Sequence, residues 1–363
     1  MLSAKSKNLT SLPQQKVVPG IRTLIFLILL LGLFLVFLLD LALGAVDIPI
    51  NQVITILLGQ EGEKTTWTSI IFKFRLPKAL TAILAGAALG VSGLQMQTLF
   101  KNPLAGPFVL GISSGASLGV ALLLLTVSTT APTLLTNLGI ISDFSLVIAA
   151  SFGAASVLGL MLVVSRRVQD TMTLLILGLL FGYATSAIVS ILLQFSSKER
   201  IQSYIMWTFG SFTGVTWQQL AILTPVICSG LLIALLQSKS LNALLLGESY
   251  ARSLGLTVQK TRFVVISSAS ILAGAITAFC GPIAFLGVAI PHLCRSVFNT
   301  SDHRVLTPGV IIMGAILALF ADLFSQILIN QMVLPLNAIT ALIGTPVVTW
   351  VILQRNSKKS FPS

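Results

Sequence analysis

Ionisable side chains beside or within long apolar segments are the first candidates for chemistry in this sequence. Asp322 falls inside an apolar segment, where an acid is costly and usually has either a function or a buried partner. Two interpretations stay open at this point, a proton site and a structural group bonded inside a helix bundle. Arg75 and Lys78 stand at the start of another apolar segment. From their position alone, they could anchor the chain among lipid headgroups.

The connector at residues 241–257, LNALLLGESYARSLGLT, mixes polar and apolar residues between two long apolar segments. It predicts two short helices that are broken at Gly247 and closed by Gly255, since glycine commonly ends helices. Glu248 and Arg252 are spaced i, i+4 and can therefore pair. The residue pattern suits an amphipathic stretch on the bilayer surface and, equally, a ridge that enters a groove of another protein.

Motifs for catalysis are missing from the sequence. It has no GxxxxGK[ST] loop, no HExxH, no nucleophile elbow and no EF-hand loop. His292 and His303 lack nearby carboxylates suited to a metal site, and we expect His292 to bond backbone carbonyls. Cys228, Cys280 and Cys294 form no CxxC pair and are expected to be buried thiols. We therefore expect no catalytic residue, metal or cofactor.

The composition identifies the elements that must position these residues. Apolar residues make up 55% of the 363 residues and charged residues 9%, with a formal net charge of +12. Soluble domains carry about 25% charged residues, so the sequence predicts an all-α polytopic membrane protein. No stretch has the length and polarity of a separate soluble domain.

Ten apolar segments are each expected to cross a bilayer as a helix, which takes roughly 20 residues. They form one domain, 22–353, between an N-terminal tail, 1–21, and a C-terminal tail, 354–363. Residues 44–74 are expected to be a polar loop with a short helix around Ile50–Leu58, and Ser196–Thr216 an interfacial segment. The ten predicted spans are 22–43, 77–97, 104–126, 144–164, 171–195, 217–237, 261–279, 283–298, 305–328 and 337–353.

Basic residues indicate the orientation of these spans. Placing both termini in the cytoplasm puts all but six of the 22 Lys and Arg residues on that side, as the positive-inside rule requires. The net charge therefore reflects membrane topology and requires no nucleic-acid partner. The six on the outer side are Lys64, Lys73, Arg75, Lys78, Lys198 and Arg200.

Eight stretches spread along nearly the whole chain carry recognisable motifs. They are RLPK (75–78), GAALGVSGLQMQ (86–97), KNPLAGPFVLGISSGA (101–116), LLGESYARSLGL (245–256), GPIAFLGVAIPHLCR (281–295), DHR (302–304), AD (321–322) and LPLNAITALIGTPVVTWVI (334–352). These motifs resemble those of the FecCD family of ATP-binding-cassette (ABC) importer permeases, whose members import iron–siderophore complexes, haem and vitamin B12 across bacterial inner membranes. The resemblance implies the type II ABC importer permease fold, with ten transmembrane helices per subunit and two subunits around a central pathway. It also implies a structural role for Asp322 inside the bundle, which we favour over a proton site.

The resemblance also implies contacts with partner proteins. Arg75 and Lys78 would dock the substrate-binding protein, although Lys78 replaces the commoner Arg and lacks its bidentate fork. Gln326 stands where relatives have a third basic residue, and a heterodimer whose other subunit supplies that charge would explain the difference. The connector would contact the ATPase through Gly247, Glu248, Ala251, Arg252, Leu254 and Gly255.

An inner gate and a pathway follow from the same resemblance. The gate would include the turns at Asn102-Pro103-Leu104 and at Asp170-Thr171-Met172; Asn102 suits equally well the cap of a helix beginning at 104. Residues of the fifth and tenth spans would line the pathway. The candidates are Gly178, Gly182, Ser186, Thr340 and Gly344.

The expected function is that of the membrane subunit of a binding-protein-dependent importer in the bacterial inner membrane. Its partners would be ATP-binding-cassette subunits, a periplasmic or lipoprotein substrate-binding protein, a second permease subunit (identical or not) and membrane lipids. A ferric siderophore is the favoured substrate, and vitamin B12 or haem is the alternative. From another class, a proton-coupled secondary transporter would use Asp322, and a membrane-embedded enzyme is disfavoured by the missing motifs.

Overall fold

The computed structural model describes residues 19–44, 46–126, 141–168, 170–327 and 334–359. Within these ranges the chain forms helices joined by short turns, and no strand is present. The helices of the first half are α1 (Pro19–Ala42), α2 (Ile50–Leu57), α3 (Thr65–Ile70), α4 (Leu76–Leu99), α5 (Ile112–Ala121), α6 (Ile141–Arg167) and α7 (Thr171–Gln194). Those of the second half are α8 (Lys198–Thr208), α9 (Trp217–Leu236), α10 (Ser238–Leu245), α11 (Glu248–Ser253), α12 (Val258–Cys280), α13 (Leu286–Phe298), α14 (His303–Ile327) and α15 (Leu336–Lys359).

The described residues contain seven helices long and apolar enough to cross a membrane. Three shorter apolar helices accompany them, at Ile112–Leu125, Leu286–Phe298 and Leu336–Trp350. These ten segments correspond in order to the ten predicted spans, which agrees with the predicted fold class. The short helix at Ile50–Leu57 is also where the sequence places it.

Helix α4 forms the centre of the bundle, and α12, α13 and α14 pack around it. Its small residues explain this position, because they let neighbouring backbones approach closely. A Cβ atom at Gly86 would overlap the Gly314 carbonyl of α14, and one at Gly93 would overlap the Gly287 carbonyl of α13. The α4 residues from Ala85 to Leu99 are all buried.

The outer helices expose their apolar side chains instead. Helices α1 and α7 present rows of exposed Leu, Ile and Phe residues, as expected where lipid or another apolar surface replaces water. Cys228 of α9 belongs to this exposed set, which corrects its expected burial, whereas Cys280 and Cys294 are buried as predicted.

Several predicted boundaries are wrong. The second span begins at Thr65, and a π-helical turn, Ile71–Arg75, joins α3 to α4, so the polar loop ends ten residues before the expected 74. The α-helix of the third predicted span, α5, begins at Ile112 and not at 104, because Gly111 has a left-handed backbone with φ of +74° and a 3-10 turn, Pro107–Leu110, precedes it. Helix α15 continues to Lys359, so the described part of the predicted C-terminal tail, 354–363, is helical, and the tail itself stays a prediction. Most of the N-terminal tail lies outside the described residues.

Candidate coupling, gate and pathway sites

The connector folds as the sequence predicts, with α10 and α11 separated by Gly247. Gly247 has φ of +115° and Gly255 has φ of +81°, a backbone region that favours glycine. Between them, Ala251 is fully buried and packs with Leu244 and Val258 in a small apolar cluster. This cluster fixes α11 against α10 and the start of α12. We call the end of the bundle that carries α10 and α11 the connector end.

Glu248 holds the connector to the membrane helices. Its carboxylate lies 3.1 Å from an Arg262 Nη2 atom of α12 and 3.7 Å from an Arg252 Nη2 atom. The Arg252 side chain is 64% exposed, whereas that of Arg262 is only 4% exposed. Arg262 also donates to the Val168 carbonyl after α6 at 3.1 Å. The pair with Arg262 is therefore the stronger of the two, although the i, i+4 spacing indicated only Arg252.

A second attachment joins α10 to the start of α14. The Asn242 amide donates to Asp302 at 2.6 Å and accepts from the His303 backbone N–H at 2.8 Å. Partial burial acts to raise the pKa of Asp302, but the hydrogen bonds from Arg304 and Asn242 outweigh it and leave that pKa lowered. A displacement of α10 would therefore pull on α14, and one of α11 on α12.

The outer face of the connector is apolar. Leu246 is 66% exposed and Leu254 is 61% exposed, and Leu245 and Tyr250 are also exposed. Large apolar side chains beside charged ones are a common composition for a surface that binds another protein. Both interpretations of the connector, bilayer surface or protein groove, require this face.

The first predicted gate turn lies at the connector end, between α4 and the 3-10 turn. The Asn102 side chain accepts from the Leu104 backbone N–H at 2.9 Å and so stabilises the turn. It does not cap a helix, because α5 begins only at Ile112. His292 of α13 contacts the Pro103 carbonyl through Nε2 at 2.7 Å, as expected for that histidine. Leu104 is exposed.

The second predicted gate turn caps α7. Asp170 accepts from the Thr173 backbone N–H at 2.8 Å and from its hydroxyl at 2.7 Å. These bonds lower the pKa of Asp170. Thr171 is half-buried and Met172 is exposed. Asp170, Thr171, Gly247 and Glu248 line one cavity together with Lys101 of the first turn, so the structure brings both turns and the connector together. Their role as a gate stays a prediction.

Arg75, at the opposite end of the bundle, is not where the docking prediction needs it. It is 7% exposed. Its guanidinium donates to the carbonyls of Leu41 at 2.7 Å, Ala42 at 2.8 Å and Val46. The side chain thus closes the end of α1, whose last carbonyls have no partner within the helix. Its guanidinium is therefore bonded to the backbone of the same chain.

Lys78 is likewise buried, at 5% exposed. Its ammonium lies 2.7 Å from an Asp322 oxygen and 3.7 Å from an Asp40 oxygen. Gln326 donates to the Asp322 carboxylate at 2.8 Å. The expected exposure of Arg75 and Lys78 is therefore corrected: each is engaged inside the bundle. Asp322 has the bonded position that we favoured from the sequence.

A cavity of about 470 Å³ lies between α5, α7 and α8. Its polar lining consists of serine hydroxyls on two facing helices and one tyrosine, and no charged residue is among the lining residues. Ser186 is the predicted pathway residue that lines it. The other polar lining residues are Ser113, Ser114, Ser117, Ser190 and Tyr204.

The remaining pathway candidates occupy packed positions. A Cβ at Gly178 would overlap the Val109 carbonyl, and one at Gly344 would lie 2.5 Å from the Cβ of Phe285. Thr340 is fully buried, and its hydroxyl donates to the Asn337 carbonyl at 3.0 Å. Gly182 is half-buried beside Ser114. Gly178 and Gly344 therefore allow close packing against the 3-10 turn and Phe285, respectively, and the role of Gly178, Thr340 and Gly344 in lining a pathway stays a prediction.

A model described as the FecCD transport family matches residues 30–354. The chain belongs to the FecCD transport family. This confirms the resemblance seen in the sequence motifs, and it agrees with the multi-span architecture of a membrane permease.

Named relatives of this FecCD permease cover most of its length. The vitamin B12 import system permease protein BtuC of Klebsiella pneumoniae is 36% identical over 291 residues, covering 79% of this chain and 83% of the relative. The hemin transport system permease protein HmuU of Yersinia pestis is 32% identical over 333 residues, covering 92% and 97%. A solved structure described as an inward-facing metal-chelate type ABC transporter superposes with a TM-score of 0.79 at 27% identity, covering 92% and 99%.

Several residues of the FecCD permease have roles that sequence reasoning missed. Arg262 and Asn242 anchor the connector, and Asp40 joins Lys78 and Asp322. Asp40 carried a detectable signal, since it is an acid within the first apolar run. The serines of α5 were visible only as small residues, because their partners on α7 come from a distant part of the sequence.

Proposed function

We propose that this chain is the membrane-spanning subunit of a binding-protein-dependent ABC importer that carries a metal chelate, with a ferric siderophore as the first candidate. The observation that carries the proposal is the fold, which superposes over 92% of the chain on a metal-chelate type ABC transporter. The hydrolysis of ATP would belong to a separate subunit, as the absence of a GxxxxGK[ST] loop in the sequence requires.

The bacterial inner membrane is the proposed location, with the connector end in the cytoplasm. Basic residues support this orientation, since Lys101, Arg166, Arg167, Lys239 and Arg252 all belong to turns or helix ends at the connector end. Both termini would then be cytoplasmic.

The ATPase subunit would bind the exposed apolar face of the connector, at Leu245, Leu246, Tyr250 and Leu254. Its movements would reach the membrane helices along two routes, from Glu248 to Arg262 of α12 and from Asn242 to Asp302 at the start of α14. Because α12 and α14 pack directly on α4, a push on the connector would tilt the core of the bundle as a unit.

A second permease subunit would cover the exposed apolar face of α7, and the serine-lined cavity beside that helix would form part of the pathway. Hydroxyl groups can both donate and accept weak, exchangeable hydrogen bonds. A wall of this kind suits a chelate that must pass without being held. Docking of the substrate-binding protein would use surface groups other than Arg75 and Lys78, since both are engaged internally.

Vitamin B12 and haem are the alternative substrates, favoured by the names of the relatives BtuC and HmuU. A proton-coupled carrier is the alternative from another class. It would require Asp322 to release and rebind a proton, and the 2.7 Å ion pair with Lys78 supports a structural role instead.

Transport by reconstituted protein tests the proposal. The permease is placed in proteoliposomes with its ATPase and its binding protein, and uptake of a ferric siderophore, cyanocobalamin and hemin is measured separately. We expect ATP-dependent uptake of the siderophore, with little uptake of the other two. Preferred uptake of cyanocobalamin or hemin would assign the alternative substrate, and uptake driven by a proton gradient without ATP would overturn the proposal.

The connector surface has its own test. Leu254→Asp places a charge on the proposed ATPase contact, whereas Leu58→Asp changes an exposed apolar residue after α2, outside the membrane-spanning helices and at the opposite end of the bundle. We expect only the first variant to lose co-purification with the ATPase while it keeps its elution volume. Equal loss in both variants would contradict the assignment.

A further inference from the structure

The outer side of α6 carries a row of exposed apolar side chains that ends at an arginine. Phe152 is 76% exposed, Leu160 is 44% exposed and Val163 is 58% exposed. Because residues three and four positions apart lie on the same side of a helix, these three side chains and Arg167 form one row. Met161, on the side that packs into the bundle, is fully buried. We call Phe152, Leu160 and Val163 the α6 stripe.

The length of the α6 stripe matches one half of a bilayer. From Phe152 to Val163 the helix rises about 17 Å, at about 1.5 Å per residue, and one leaflet contributes about 15 Å of hydrocarbon. Arg167 lies one further turn along the helix, at the connector end. The surface therefore has the profile of a phospholipid, with an apolar part as long as an acyl layer and cations at the level of the headgroups.

Helix α12 holds the end of α6 and its first arginine in place. The Gln259 side chain donates to the Arg166 carbonyl at 3.4 Å, and Arg262 donates to the Val168 carbonyl at 3.1 Å. The Arg166 guanidinium lies over the Phe263 ring, 5.4 Å from its centroid, a distance at which a cation is attracted to an aromatic face. This contact uses no hydrogen-bond acceptor, so the N–H donors of Arg166 stay available.

Neither Arg166 nor Arg167 has an acidic partner among the described residues. Both side chains are exposed, and within those ranges neither makes an ion pair. The next acid along the chain, Asp170, accepts hydrogen bonds from the first turn of α7, and Glu248 pairs with Arg262. The two charges at the end of α6 are therefore available to an anion outside the chain.

We propose that the end of α6 binds an anionic phospholipid, with its phosphate at Arg166 and Arg167 and an acyl chain along the α6 stripe. Arginine holds phosphate through charge-assisted hydrogen bonds, and basic sites between membrane helices bind acidic lipid headgroups. The positive-inside rule accounts for cations at this end of the bundle, but it requires neither the contact with Phe263 nor the bonds from α12. The lipid would join α6 to α12 from outside, whichever chelate the permease carries.

Binding of single lipids to the intact permease tests the site. The full-length chain is purified in a detergent with a neutral headgroup and titrated with phosphatidylglycerol or with phosphatidylcholine of the same acyl chains. Native mass spectrometry resolves each bound lipid and gives a dissociation constant for the first. We expect phosphatidylglycerol to bind several-fold more tightly, because only this lipid has a net negative charge. Raising the ionic strength should remove most of the difference.

Three variants make the test specific. Arg166→Gln with Arg167→Gln removes both charges, and we expect phosphatidylglycerol binding to weaken about tenfold or more while phosphatidylcholine binding is unchanged. Arg166→Lys with Arg167→Lys keeps both charges and should keep most of the preference for phosphatidylglycerol. Arg304→Gln is the matched control, since Arg304 is an exposed arginine at the start of α14, next to Asp302 and outside α6 and α12.

Each outcome decides the proposal. A salt-sensitive preference for phosphatidylglycerol that is lost in the glutamine double variant, and kept in the lysine double variant and in Arg304→Gln, supports the site. No preference in the unchanged protein, a preference that is insensitive to salt or survives the glutamine double variant, or equal loss in Arg304→Gln would overturn it. A glutamine double variant that keeps lipid binding but no longer co-purifies with the ATPase would also overturn it, and would assign the arginines to a protein contact.

Discussion

Two ion clusters lie at opposite ends of the bundle, and their charges are reversed: one is a cation between two acids, and the other is an acid between two cations. At one end Lys78 lies between Asp322 and Asp40, and at the connector end Glu248 lies between Arg262 and Arg252. In each cluster one outer partner is close and the other is 3.7 Å away. The clusters differ in burial: all three side chains of the first are at most 6% exposed, whereas Arg252 is 64% exposed.

Burial gives the two clusters different consequences. An ion pair taken out of water is costly to form, but it is much more costly to break from one side, since the other charge then stays buried alone. An exposed pair contributes little in either direction. The Lys78 cluster therefore ties α1, α4 and α14 together as a fixed unit. The Glu248 cluster, which is partly open to water, can rearrange while the connector moves.

The largest expected effect comes from removing the close acid of the buried cluster. Asp322→Asn leaves the Lys78 ammonium with only the distant Asp40 carboxylate, and we expect a loss of about 3–5 kcal/mol in the free energy of unfolding. Thermal and denaturant unfolding in detergent measure this. Glu199→Gln, at an exposed acid of α8, is the control. A variant as stable as wild type would show that the cluster does not hold the bundle together.

Glu248→Gln should have a smaller effect, of about 1–3 kcal/mol, which is typical of one hydrogen bond to a charged group. Arg262 keeps its bond to the Val168 carbonyl, so its charge is not left without a partner. Hydrogen exchange should locate the change in α10 and α11, with α4 unchanged. Faster exchange throughout the bundle would instead show that the Glu248 cluster, like the Lys78 cluster, stabilises all of the bundle.

Asp40→Asn distinguishes the contribution of Asp40 from that of Asp322 in the buried cluster. The Asp40 carboxylate is 3.7 Å from Lys78, and loss of this weak attraction is offset by the lower cost of burying a neutral amide. We expect a change below about 1 kcal/mol, so this variant should unfold far closer to wild type than Asp322→Asn. Equal destabilisation by both variants would mean that the two acids share Lys78 equally.

The smallest effect is expected for Arg252→Gln. Its pair with Glu248 is long and its side chain is mostly in water, so the expected cost is about 0–0.5 kcal/mol. The same unfolding measurement serves here, with Lys260→Gln as a second exposed position. A loss above about 1 kcal/mol would show that the i, i+4 pair, and not Arg262, anchors the connector.

The sequence predicts the fold well because its main signals are long and local. Ten apolar segments, the short helix at 50–57 and the break at Gly247 all appear near their expected places. The boundary errors arise where the backbone departs from simple periodicity. The π-helical turn before α4 and the left-handed Gly111 before α5 depend on packing that no local pattern shows.

The candidate sites were less predictable than the fold, because their contacts join residues that are far apart in the sequence. Arg75 and Lys78 are near the start of an apolar segment, which suggests that their side chains are exposed. In the structure, however, the C-terminal end of α1 covers both. Asp40 and Lys78 are 38 positions apart, and Asn242 and Asp302 are 60 apart, so neither pair produces a helical spacing. Glu248 was identified from its local partner Arg252, while its stronger partner, Arg262, lies in the first turns of the following helix.

Gly247 illustrates a constraint of handedness at the connector. Its φ of +115° and ψ of +151° lie in a backbone region that essentially only glycine adopts, and nothing lies within 4 Å of the position where a Cβ would stand. The restriction on this residue is therefore one of chirality, with size playing no part. A D-alanine introduced by chemical synthesis or semisynthesis should fit position 247 better than L-alanine, which should force the link between α10 and α11 into another shape.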